Sequence, residues 1–267
     1  MCSMLRERHG GHGVTLLGGT DRPSGVTLAF TERAGGVSTG AWSSLNLGSA
    51  CGDDSAHVAE NRRRALEAMG FAGGLGRLVV PRQVHGDHVV CVTANDDASV
   101  ARAREEAAAG ADAIVCTVSD VAVMLCFADC VPVVLTAPDG YAVVHSGWRG
   151  TLRRIAATAL ARLCERSGAA PQDARAYIGP HIMGEDYEVS AELLDRFVGK
   201  FGPRARASER HLDLGACVRT ALVDAGLPQS AIEGTGISTP RATDRFYSYR
   251  AERGACGRHA AVAFREG

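Results

Sequence analysis

The sequence predicts an α+β sandwich in preference to a doubly wound parallel sheet. Strand-like apolar runs cluster in the middle of the chain, and helical patterns are interspersed with them. Two of the runs are joined by Pro138-Asp139-Gly140, a strong turn signal that makes them a hairpin. The chain has 267 residues, 46% of them hydrophobic, enough for a sizeable core near the upper end of one domain.

Taken in order, residues 1–25 are polar and glycine-rich, a loosely ordered lead-in without the apolar centre of a secretory signal. Asp54-Ser55 offers an N-cap to a helix over Ala56–Met69, where Val58, Ala65, Leu66 and Met69 share one face. Strand-like runs follow at Leu78–Val80 and His88–Thr93. The alanine- and charge-rich Ala98–Gly110 reads as a short surface helix or a flexible connection. Four more strands are expected at Ala113–Cys116, Val121–Phe127, Val133–Ala137 and Tyr141–His145. Leu152, Ile155, Ala156, Ala159, Leu160 and Leu163 give the best helical periodicity in the chain. Ala191–Phe201 and Leu214–Ala225 are further helices, the second stopped by Gly226 and Pro228.

Charge excludes some functions. The 29 basic and 30 acidic residues are interspersed and leave a formal net charge of -1, so neither a nucleic-acid groove nor a membrane surface is indicated. Arg62-Arg63-Arg64 and Arg153-Arg154 read as solvated helix faces. The longest apolar stretch, Val121–Ala137, is broken by Asp129 and Pro132 and falls short of the ~18 residues of a membrane-spanning helix. A soluble, cytoplasmic protein is expected. The nine cysteines are scattered, odd in number and without a CxxC pair, which argues against a disulfide framework.

The hairpin has a chemical consequence. Pivoting about Asp139 sets Val133 roughly opposite His145, with Cys130 beside the same end, so a thiol and an imidazole meet at one sheet edge. His85 lies in a turn, Gln83-Val84-His85-Gly86-Asp87-His88. One Cys and two His suit Zn²⁺, and three protein ligands leave a position open, as catalytic sites do. Spacing alone leaves His88, His181, His211 and Asp129 equally eligible. After His145, Ser146-Gly147-Trp148-Arg149-Gly150 leads into a helix. Its free N–H groups and Arg149 make either an anion site or a capped turn with a surface arginine.

The motifs identify a family. Arg33-Ala34-Gly35-Gly36-Val37-Ser38-Thr39-Gly40, Ser44-Leu45-Asn46-Leu47-Gly48, Gln83-Val84-His85-Gly86, Ala128-Asp129-Cys130-Val131-Pro132-Val133 and His145-Ser146-Gly147-Trp148-Arg149-Gly150 occur in order. Gly179-Pro180-His181-Ile182, Tyr187-Glu188-Val189, Phe246-Tyr247-Ser248-Tyr249-Arg250 and Gly257-Arg258 complete the set. The chain resembles the YfiH/YlmD family, long labelled laccase-domain or polyphenol oxidase proteins, over roughly residues 26–265. The resemblance implies a single-domain layered α/β sandwich with mixed sheets, a catalytic domain over 26–267, and zinc ligands at His85, Cys130 and His145. His-Ser-Gly-Trp stands where His-Ala-Gly-Trp is typical, and Ser238-Thr239 where Cys-Thr is common, which speaks against a thiol role there.

The resemblance further implies phosphorolysis of adenosine, inosine and methylthioadenosine to the free base and ribose 1-phosphate, with adenosine deaminase activity. It also brings a copper-dependent phenol oxidase activity as an alternative. Nine histidines with no His-x-His do not supply a multicopper relay, although a Cys/His/His site can take Cu²⁺. On this chain Asp129 is the candidate proton shuttle, Arg149 or Arg33 supplies charge to phosphate, and Asn46 and Gln83 bond sugar hydroxyls or base edges. A different class would make Cys130 a nucleophile and His145 its base, in a hydrolase editing a cell-wall precursor. A metal-stabilised binding protein is the non-enzyme alternative. Nucleosides and phosphate are the expected partners, with monomer and homodimer both open.

Overall fold

Alternation along the strands sets up the layers. The computed structural model describes residues 5–19 and 21–267. Its strands are β1 (Leu5–His9), β2 (Thr15–Gly19), β3 (Val26–Thr31), β4 (Leu78–Val79), β5 (Val89–Val92), β6 (Ala113–Cys116) and β7 (Ala122–Phe127). They continue as β8 (Val131–Ala137), β9 (Gly140–Ser146), β10 (Arg175–Ile178), β11 (Arg206–Ser208), β12 (His211–Leu212), β13 (Ile232–Gly234) and β14 (His259–Arg265). The helices are α1 (Ser55–Met69), α2 (Asp97–Ala109), α3 (Trp148–Leu152), α4 (Ile155–Ser167), α5 (Ala191–Phe201) and α6 (Leu214–Asp224).

Two six-stranded sheets form, in the orders β1-β2-β3-β14-β7-β4 and β13-β10-β8-β9-β6-β5, with β11-β12 as a separate pair. Both large sheets are mixed: β4/β7, β5/β6 and β10/β13 run parallel, and the other pairings in them are antiparallel. On β14, Ala261 and Ala263 face the second sheet, while Ala260, Val262 and Phe264 pack with Leu66 and Met69 of α1. On β9, Tyr141 and Val143 face the first sheet, while Ala142 and Val144 meet Ile155, Leu160 and Leu163 of α4. The period of two along each strand thus yields helix, sheet, sheet and helices in four layers. This is the single-domain α+β sandwich expected.

Several elements differ in detail. The described part of the lead-in, expected to be loosely ordered, holds β1 and β2, and β2 pairs with β3 through Leu16↔Thr31 and Leu17↔Phe30. Leu16 and Leu17 are buried there, and their apolar area is what orders the segment. Residues 1–4 and 20 of that lead-in lie outside the described residues. Ala98–Gly110 is helical, as α2, capped by the Asp96 side chain on Ser99 N–H. The expected helix over Leu152–Leu163 is two helices, because Arg154 sits in the left-handed region (φ 62°) between α3 and α4.

The hairpin closes one residue away from the expected register. Pro138-Asp139 forms a two-residue turn with Asp139 at φ 59°, so Ala137 pairs with Gly140, and His145 lies opposite Pro132 rather than Val133. No helix among the described residues is long and apolar enough to cross a membrane.

Candidate metal centre

The chain crosses between the sheets at one end of the sandwich. The β4–β5 loop and the turn from β7 to β8 both pass from the first sheet to the second. The first carries His85 and the second Cys130, while His145 is the penultimate residue of β9. One ligand atom from each of these three residues lies within 4.8 Å of the others. A tetrahedral ion with N and S ligands holds its donors about 3.4–3.6 Å apart, within ordinary side-chain adjustment of this spacing. A soft thiolate with two imidazoles is a donor set for zinc or copper. The residues fit a metal, and among the described residues His88, His181, His211 and Asp129 are not part of a group that does.

Asp112 organises the trio, and sequence reasoning missed it. Its carboxylate, fully buried at the start of β6, accepts the backbone N–H groups of Val84, His85 and Gly86 at 3.2, 3.0 and 2.6 Å. These bonds hold His85 in its left-handed conformation, φ 57°. The fourth bond is to His145 Nδ1, 2.8 Å away, which orients the ring and leaves Nε2 to face the other ligands. Burial pushes the Asp112 carboxyl up, but His145 and the N–H groups of Gly86 and Val84 outweigh it and hold the pKa below its ordinary value. Cys130 behaves alike: burial raises its thiol, yet the His145 and His85 imidazoles bring it well below a normal cysteine and favour the thiolate, the ligand form. Burial lowers His145, but Cys130 and Asp112 outweigh it and raise its pKa.

Gly147 is a second omission. A Cβ there would lie 3.0 Å from His85 Cδ2 and 3.2 Å from Cys130 Sγ, so the backbone occupies the space behind the ligands. Its φ of -74° is one any residue adopts. Glycine is required by contact, not by conformation.

The trio opens onto a cavity of about 930 Å³. Four arginines line it, Arg62, Arg82, Arg250 and Arg258, and none is ion-paired to a carboxylate among the described residues. Arg62 Nε and Nη2 donate to the Leu47 carbonyl, and Arg258 Nη1 to those of Cys256 and Gly257. Each guanidinium is fixed while its charge stays uncompensated. Phe127, Trp148, Tyr187 and Tyr249 supply aromatic wall, with Arg250 over Tyr187 (5.2 Å) and Arg258 over Tyr249 (5.7 Å).

The other expected site residues part company with the trio. Asp129 lines the cavity, but its Oδ1 accepts from Thr239 Oγ1 and its Oδ2 from Arg250 N–H, both at 2.7 Å. Gln83 also lines it, with its amide doubly bonded to the Cys126 backbone. Asn46 is buried outside the cavity wall; it donates to Asp53 and Gly48 and accepts from the N–H groups of Gly48 and Arg258. Arg33 lies away from the cavity, bonded to the Ser43 and Thr243 carbonyls and to Glu252. Arg149 stacks on Trp148 at 4.4 Å and turns into a separate cleft. Arg62 had a readable signal: it falls between Val58 and Leu66 on the buried stripe of α1, whereas Arg63 and Arg64 pair outside with Glu60. Tyr187, Tyr249, Arg250 and Arg258 stood in motif segments without a role.

Residues 27–266 match the family model described as multi-copper polyphenol oxidoreductase laccase. A relative named purine nucleoside phosphorylase YlmD, from Geobacillus stearothermophilus, is 35% identical over 244 residues, covering 88% of each chain. One from an unknown prokaryotic organism, named an adenosine deaminase, is 34% identical over 217 residues, 78% of this chain and 82% of that one. The crystal structure of YlmD from Geobacillus stearothermophilus superposes with a TM-score of 0.86 at 30% identity, covering 99% of this chain and 100% of that one.

Proposed function

The chain belongs to the family described as multi-copper polyphenol oxidoreductase laccase, and from that premise we propose that it is a metal-dependent purine nucleoside phosphorylase, with adenosine deamination as a second activity. The observation that carries the reading is the cavity itself: a thiolate-imidazole trio at one wall and four arginines without carboxylate partners around it. An uncompensated cationic wall fits a reaction whose second substrate is inorganic phosphate. It has no use in the oxidation of a neutral phenol.

Phosphorolysis asks three things of the residues. Phosphate must be held facing C1′, so that a phosphate oxygen bonds C1′ as the C1′–N9 bond breaks and the base leaves with the electron pair. Arg62 and Arg258, anchored by main-chain carbonyls, keep N–H donors free for phosphate oxygens and lose little mobility on binding it. The purine needs flat apolar surface, which Tyr187, Tyr249 and Phe127 supply. His85, Cys130 and His145 would hold Zn²⁺, which supplies a Lewis acid when bound. Asp129 acts as a positioning residue, tying the loop of Arg250 to the turn of Cys130 through hydrogen bonds at both oxygens.

Deamination is favoured by the adenosine deaminase relative. It lacks an evident proton shuttle here, because Asp129 is the one acidic residue among those lining the cavity and both its oxygens are engaged. Phosphorolysis is therefore the principal activity. Zinc-loaded protein given adenosine with phosphate should yield adenine and ribose 1-phosphate. Without phosphate, inosine should form more slowly. Absence of both products under zinc loading refutes the proposal, and full activity in Cys130→Ala refutes the role of the trio.

A further inference from the structure

On the far side of Trp148 from the metal centre lies a second cleft, about 530 Å³ in volume. Trp148, Arg149, Leu152 and Arg153 of α3 and its C-cap form one wall, and Arg196 and Lys200 of α5 the other. Four cationic side chains converge there, and no acidic residue lines the cleft. Arg153 is paired with Asp87 at 3.1 Å. Arg149, Arg196 and Lys200 have no ion pair among the described residues. Arg196 and Lys200 stand four apart on α5, a spacing at which like charges destabilise a helix. Water and salt screen the repulsion among these exposed cations, and a bound anion relieves it directly.

We propose that this cleft is a separate binding site for linked phosphate groups, either those of free pyrophosphate or those of a nucleotide. Guanidinium forks match phosphate oxygens in pairs, and Lys200 adds a point charge. Four cations with no acid among the lining residues carry more charge than one phosphate neutralises, and two linked phosphates match it more closely. Trp148 and Leu152 give an apolar face on which a nucleoside moiety can rest. The site is distinct from the proposed catalytic phosphate position, since Arg149 lies in the second cleft and Arg62 and Arg258 in the first. It does not depend on the reaction proposed above. Trp148 borders both cavities, and Gly147 before it packs on the metal trio, so occupancy of the cleft should be sensed at the centre.

The test is a fluorescence and calorimetric titration of the intact protein with pyrophosphate, ADP and citrate. The chain has two tryptophans, Trp42 and Trp148, and the signal should vanish in Trp148→Phe while calorimetric binding persists. R196Q combined with K200Q should raise Kd at least about tenfold, the scale expected from losing charge-assisted bonds. Both side chains are exposed, so the fold should survive, checked by circular dichroism. Arg258→Gln, in the metal cavity, should leave this binding in place. Equal affinity for pyrophosphate and ADP assigns the site to free polyphosphate; tighter binding of ADP assigns it to a nucleotide. No binding of either, binding indifferent to R196Q with K200Q, loss of binding in Arg258→Gln, or citrate binding as tightly as pyrophosphate would each overturn the proposal.

Discussion

A carboxylate with no solvent exposure must take its hydrogen bonds from the protein, and Asp112 takes four: three main-chain N–H groups of the His85 loop and one from the His145 ring. It thereby sets two of the three candidate ligands at once. Asp112→Asn keeps the size but removes the charge, and its amide N–H₂ faces donors. Metal affinity should fall about 10–100-fold, read by competition with a chromophoric chelator, the usual cost of losing an outer partner of a ligand histidine. An unchanged affinity would show that Asp112 serves the loop alone. Gly147→Ala tests the same centre from behind. Its methyl group would press on His85 and Cys130 at 3.0 and 3.2 Å, so metal affinity should drop while the denaturation midpoint of metal-free protein moves little. A variant that binds metal normally would mean that the loop yields to the methyl group at no cost.

At the scale of elements, β14 shows what a central strand can bury. His259 is fully buried between Phe127 (6.4 Å) and Phe246 (5.3 Å), and neither ring nitrogen has a hydrogen-bond partner of good geometry. Burial pushes its pKa down to about 3, the Pro180 carbonyl only partly opposing. The unfolded chain takes up the proton near pH 6.5 and the folded chain does not. The neutral ring's contribution is therefore complete above pH 6.5 and declines as pH falls toward 3, by about 1.4 kcal/mol per unit. Urea denaturation at pH 7 and pH 5 should show that His259→Leu loses less stability across this interval than the parent chain. Equal losses would place the proton sensitivity elsewhere. The same strand explains part of what the sequence left unread. Its run His259–Arg265 is apolar on both faces because both faces are covered, so it has no alternation to announce it. The β8–β9 hairpin was legible through Pro138-Asp139-Gly140, and only its register, set by the two-residue turn, was not. The break at Arg154 was not, because the apolar spacing of α3 and α4 continues across it. Asp112 was not legible either: one acid before an apolar strand looks the same in sequence whether it caps a loop or faces water.

For the whole molecule, the question is whether the metal holds the fold or merely occupies it. Three apolar clusters build the interior, one between the sheets and one on each outer face, and together they draw on every layer. The trio lies at the end of the sandwich, in crossing segments and the last residues of β9, with Cys130 at the margin of the cluster between the sheets. The His85 loop is already tied by three bonds to Asp112, and the Cys130 turn by Asp129 to Thr239 and Arg250 and by its carbonyl to Ile182 N–H. A preformed site of this kind gains stability from metal by mass action alone, about 2.7 kcal/mol at a free concentration 100 times Kd. Chelation should thus abolish nucleoside cleavage, lower Tm by roughly 5–10 °C, and leave the far-ultraviolet circular dichroism intact. Restored zinc should return both activity and Tm. Loss of secondary structure on chelation at room temperature would reverse the assignment, making the centre a structural staple and the protein a metal-stabilised binder. The three independent cores are what make the first outcome the expected one: removing an ion from the edge of a sandwich exposes none of them.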